Sequence, residues 1–177
     1  MSLKTWKFVA LLLAALSLTM ESAHVLELPQ KMQYDAQMYS AVNTTLYRYF
    51  AIVGAVYQIG SIVACWLLVR IVRTRRESFR WTLAAALFLT GAFLAWLAIV
   101  APVNSDIAET LRTRPESVPA LWLQLRVRWE AGHAVGFVLQ LVGYSALVWS
   151  VLTAQPESLR DFSPRDGDAN NQRSRRN

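Results

Sequence analysis

The chain has 177 residues, 54% of them hydrophobic and 17% charged, with a formal net charge of +6. Soluble domains run at roughly 45–50% and about 25% respectively, so this composition excludes an ordinary soluble fold. The length suits one domain, and a lone cysteine, Cys65, excludes an internal disulfide.

The apolar residues fall into four blocks, each long enough for a bilayer crossing, which takes roughly 20 helical residues. The first spans about residues 5–27, with Pro29 expected to stop it. Lys4 and Lys7 ahead of the apolar run also suit a signal peptide, with Ala15, Leu16 and Ser17 as a small-residue cleavage site. The apolar character continues through Val25, Leu26 and Leu28, which favours a retained span. The second block covers about residues 46–72. The third covers 79–100, with Pro102 just beyond, and the fourth covers 129–152. Apolar residues surround each segment, and a lone segment in lipid must satisfy its own backbone, so each is read as a helix. Residues 154–177 are polar and lack an apolar pattern, which predicts a disordered cytoplasmic tail after a domain of residues 1–153. The expected fold is an all-α, integral membrane four-helix bundle.

Charge sets the expected orientation. With both termini cytoplasmic, twelve of the eighteen Lys and Arg residues lie inside, among them Arg70, Arg73, Arg75, Arg76 and Arg80 between the second and third blocks. Six lie outside: Lys31, Arg48, Arg112, Arg114, Arg126 and Arg128. This bias predicts an N-in/C-in, multi-pass protein, in the plasma or inner membrane if the source is bacterial. It accounts for the positive charge without a nucleic-acid partner. Trp6, Trp81 and Trp149 fall near the inner boundary, and Tyr47, Tyr49 and Trp129 near the outer one. Gly132 to Gly136 and Gly60 to Ala64 are small-xxx-small patterns, for which ordinary helix packing is a sufficient reading.

The chain has two histidines, and each follows a glutamate by three positions: Glu21 with His24, and Glu130 with His133. At that spacing both side chains of a pair share a helix face. Glu27 extends the first pair by a turn. His24 sits roughly 29 Å along the first helix and His133 roughly 6 Å below the outer interface, so the pairs are expected at similar depth. Ionisable groups in a span are costly and mark functional sites. Imidazole with carboxylate suits a non-haem metal such as iron, copper or zinc, with Glu21, His24, Glu130, His133 and also Glu27 as candidate ligands. The Glu-x-x-His spacing is that of di-metal bundles, but the second and third blocks offer no matching glutamate, so a mononuclear or atypical site fits better than a ferritin-like one. The same residues also suit a polar clasp between helices. Two histidines at one depth would suit haem b in an electron carrier, although the glutamates are then unnecessary. A non-enzymatic membrane subunit or transporter is a third reading, without the inverted repeat or broken helices of many transporters.

Three stretches carry a resemblance: residues 24–29 (HVLELP), 101–104 (APVN) and 126–133 (RVRWEAGH). Across roughly residues 5–153 the chain resembles a family of small four-helix membrane proteins, a domain family of unknown function that includes the anthrone oxygenases of fungal and bacterial polyketide pathways. Pro102, Asn104, Trp129 and His133 are the positions that match it. The resemblance implies oxidation of a small apolar phenolic or anthrone-like substrate with O₂. An anthrone is a weak carbon acid, so His24 or His133 would serve as base. Asn104 would donate a hydrogen bond to the developing oxyanion. Trp122, Trp129 and Tyr47 would line a flat apolar pocket; as single residues, each also suits interfacial anchoring.

Overall fold

The computed structural model describes residues 2–154, and every regular element among them is helical. Helix α1 runs Leu3–Lys31, α2 Ala36–Thr45, α3 Arg48–Val72, α4 Arg76–Thr113 and α5 Val118–Leu152, with a single 3-10 turn at Pro115–Ser117. Four of these, all but α2, are long and apolar enough to cross a membrane. They present large apolar side chains outward, such as Leu12, Ile59, Leu94 and Val138, where lipid can cover them. The chain is a multi-pass, all-α membrane protein built as a four-helix bundle.

The four expected spans are present with different boundaries. Helix α1 does not stop at Pro29 but continues through it to Lys31. Proline forfeits its own N–H bond, yet the turn is held by Met32 N donating to Leu28 O at 3.0 Å and by a buried anchor at Lys31. Pro102 likewise lies inside α4, which extends to Thr113. Helix α5 begins at Val118, eleven residues before Trp129, because Val118 and Trp122 face inward although Arg126 and Arg128 dilute the hydropathy. The second block is helix α3, close to its expected bounds, and a short helix, α2, precedes it where no helix was expected. Asp35 caps α2, its Oδ1 accepting from Met38 N at 2.8 Å, and Tyr47 precedes α3. The expected tail lies outside the described residues, apart from Ala154.

Both described termini and the α3–α4 turn lie at one end of the bundle. Small residues pack that half: Ala10 and Ala14 of α1 meet Ala64 and Cys65 of α3 and Ala85, Ala86 and Leu89 of α4. Close backbone approach of this kind suits helices in lipid, where packing and not exclusion of water drives association. The opposite, distal half is aromatic, with Tyr39, Trp122 and Trp129 packed against Val100, Val103 and Ile107. Helix α2 covers this half, mainly against α5. Large rings do not tile without gaps, and the cavity opens among them.

Candidate functional site

A cavity of about 350 Å³ lies among α1, α3, α4 and α5, with α2 contributing Asn43 and Thr44. Ala92, Phe93, Trp96, Ile107 and Leu111 of α4 supply much of its apolar wall. Its volume is near the lower end for sites that enclose a small organic ligand.

The two histidines meet on its wall. Their rings stack with centroids 4.0 Å apart and planes inclined by 28°. On its other side His24 stacks on Tyr47 at 4.7 Å, and Trp129 presents an edge to both imidazoles, at 5.0 Å to His24 and 4.3 Å to His133. Tyr47, Trp122 and Trp129 are all buried and line the cavity, so their role here is ligand-facing or packing and not interfacial anchoring.

The glutamates go to different partners. Glu21 crosses from α1 to α5, where its Oε2 lies 2.8 Å from His133 Nδ1. An ionised carboxylate can only accept, so it fixes a proton on Nδ1, and in the neutral ring the lone pair is then on Nε2. Gly136 makes the crossing possible, since a Cβ there would stand 3.3 Å from the Glu21 carboxyl carbon. Gly132 permits the approach to α4, where a Cβ would meet Val100 Cγ2 at 2.5 Å. Glu130 instead faces the end of α1 and α2. Its Oε1 forms an ion pair with Lys31 Nζ at 2.8 Å and accepts from Tyr39 Oη at 2.7 Å. Burial, and then the Glu130 charge, push the Tyr39 phenol well above the ordinary tyrosine range, so it remains a donor. The Lys31 ammonium also lies 4.5 Å from the Tyr47 ring centroid and 4.6 Å from that of Trp129.

The quartet of Glu21, His24, Glu130 and His133 therefore does not converge as one ligand set. Glu130 is committed to Lys31 and Tyr39, and Glu27 is not among the cavity-lining residues. Among the described residues no group of three or more His, Cys, Asp or Glu side chains is placed to hold a metal ion. Imidazoles stacked face to face are also not disposed as trans ligands of one haem iron, which would lie between them in the line of their nitrogen lone pairs.

Asn104 lines the cavity with its polarity fixed by Trp129. The indole Nε1 can only donate, and it donates to Asn104 Oδ1 at 2.9 Å, which leaves the Asn104 amide nitrogen to offer. Several buried polar atoms around the cavity have no hydrogen-bond partner within the protein: His24 Nδ1, Asn43 Oδ1, Tyr47 Oη, Trp122 Nε1 and Gln140 Oε1. Sequence reasoning missed Lys31 as an internal cation, and it missed Asn43 and Gln140. For Gln140 a signal existed, because a glutamine in the middle of an apolar span needs a partner.

The arrangement can orient an imidazole base beside a flat apolar ligand and offer it amide, indole and phenol donors. Set against family models, curated proteins and solved structures, the chain matches none of them.

Proposed function

We propose that this protein is a membrane-embedded oxygenase that oxidises a small apolar phenolic or anthrone-like substrate with O₂. The Glu21–His133 pair, 2.8 Å apart on the wall of an aromatic-lined cavity, carries this reading. The resemblance of residues 24–29, 101–104 and 126–133 to the anthrone oxygenase family supports it independently.

His133 Nε2 is the base. It takes a proton from the methylene carbon of the substrate, and Glu21 stabilises the imidazolium as it forms. The charge of the resulting carbanion delocalises onto the substrate's carbonyl oxygen, where the Asn104 amide and the Trp122 indole can donate to it. The carbanion reduces O₂, a C–O bond forms, and the proton held by His133 goes to the peroxide. Loss of water from this hydroperoxide leaves a ketone. One methylene and one O₂ thus become one carbonyl and one water, with no external reductant. His24, held between Tyr47 and His133, braces the base by stacking. The twelve-to-six bias of Lys and Arg supports an N-in/C-in orientation, which puts the cavity in the outer half of a plasma or inner membrane.

The test is turnover of anthrone by purified protein under ¹⁸O₂. The expected product is the quinone with one ¹⁸O in its new carbonyl, formed well above the spontaneous rate. Formation no faster than without protein would remove the reading.

A further inference from the structure

The floor of the cavity holds a polar chain whose hydrogen-bond direction is dictated from one end. Leu89 O is a backbone carbonyl and can only accept. Gln58 Nε2 donates to it at 3.0 Å, which fixes the Gln58 amide and makes its Oε1 an acceptor. That oxygen accepts twice, from Ser17 Oγ at 2.6 Å and from Gln140 Nε2 at 2.6 Å. The Gln140 amide is therefore fixed in turn, with Oε1 left over. Gln140 is 2% exposed and lines the cavity, and its Oε1 has no partner within the protein. A buried acceptor without a donor is costly, and in a membrane span the cost is not relieved by bulk water.

We infer that Gln140 Oε1 is a ligand subsite that accepts a hydrogen bond from a hydroxyl on the far end of the substrate. This deepens the reading of the cavity as an aromatic-substrate site and rests on it. Gln140 follows His133 by seven residues, two turns on the same face of α5 and about 10 Å deeper. A ligand that reaches both is extended: its reacting carbon lies near the imidazole, its rings lie between the apolar walls, and a phenolic O–H points at Gln140. The chemistry selects a donor at that position. A ketone, ether or bare ring edge leaves the acceptor unmet.

The test uses a non-reacting pair, 2-hydroxyanthracene and its methyl ether 2-methoxyanthracene, titrated against protein in nanodiscs by quenching of tryptophan fluorescence. The ether keeps the rings and cannot donate. Comparing each probe between wild type and Gln140→Met cancels its partitioning into lipid. The expected result is that Gln140→Met weakens 2-hydroxyanthracene at least about tenfold and leaves 2-methoxyanthracene unchanged. Unchanged ether binding also reports an intact cavity. Should Gln140→Met not fold, Gln140→Asn, which draws the amide back by one methylene, shows the same selective loss. Equal weakening of both probes, or of neither, overturns the subsite; a structural water on Oε1 would give the latter. If the selective loss is found but anthrone is not oxidised, the oxygenase reading falls and the hydroxyl subsite stands.

Discussion

Lys31→Met tests how the distal half of the bundle is held. Lys31 and Glu130 are 2% and 3% exposed and paired at 2.8 Å. Methionine keeps the length of the stem and removes the charge, so the Glu130 carboxylate retains only the Tyr39 hydroxyl. Leaving one member of a buried pair uncompensated costs about 3–5 kcal/mol. Glu130→Gln is milder, because the ammonium still faces the rings of Tyr47, Trp129 and Tyr39, at 4.5, 4.6 and 5.5 Å from their centroids. A desolvated cation over an aromatic face retains about 2 kcal/mol. The double variant costs less than the sum of the single ones, since the second change removes the group that the first stranded. Thermal unfolding in detergent, followed by tryptophan fluorescence, reads this directly. At about 2–4 °C per kcal/mol for a chain of this size, Lys31→Met lowers Tm by about 6 to 20 °C. A shift under about 2 °C, or a larger loss for Glu130→Gln than for Lys31→Met, would mean that the Lys31–Glu130 pair does not hold this half of the bundle.

Gly132→Ala drives a methyl to 2.5 Å from Val100 Cγ2 and costs about 1–3 kcal/mol of stability. Gly136→Ala presses on the Glu21 carboxyl from 3.3 Å and shows instead as lost anthrone oxidation by protein that still melts near the wild-type temperature. In a Cys65→Ser background, Glu116→Cys is labelled by an impermeant thiol reagent on intact cells, whereas Thr74→Cys is labelled only after permeabilisation; the reverse pattern would invert the topology. Tyr39 keeps its proton in the folded protein above the ordinary tyrosine range, while the unfolded chain releases it. Stability therefore falls as pH rises past about 10, and Tyr39→Phe flattens that part of a Tm-against-pH profile.

The four spans were legible because each apolar run is long enough to need a bilayer and has no alternative to helix. Their ends were not. Pro29 and Pro102 read as stops, yet a proline near a helix end removes one N–H, and packing at Lys31 and at Val103 and Ile107 holds the following turn. Helix α2 was hidden because its ten residues are polar enough to pass for a loop, with only the Asp35 cap as a sign. The meeting of His24 and His133 was legible from depth along two helices of opposite direction. The fate of the glutamates was not. Residues three apart on a helix share a face but diverge by about 60°, enough for Glu130 to reach Lys31 and Tyr39 while His133 reaches Glu21. The competitor that decided it, Lys31, reads in the sequence as an ordinary exterior charge.

In the proposed mechanism Glu21 and His133 form one acid–base unit acting on a substrate in the cavity. Oxygen uptake with anthrone by wild type, Glu21→Gln, His133→Ala and the double variant, each normalised to folded protein, tests it most directly. The expected result is a loss of about 10²-fold or more for His133→Ala, a smaller loss for Glu21→Gln, and a double variant no worse than His133→Ala alone. Uptake that survives His133→Ala in folded protein, or losses that multiply in the double variant, would contradict it.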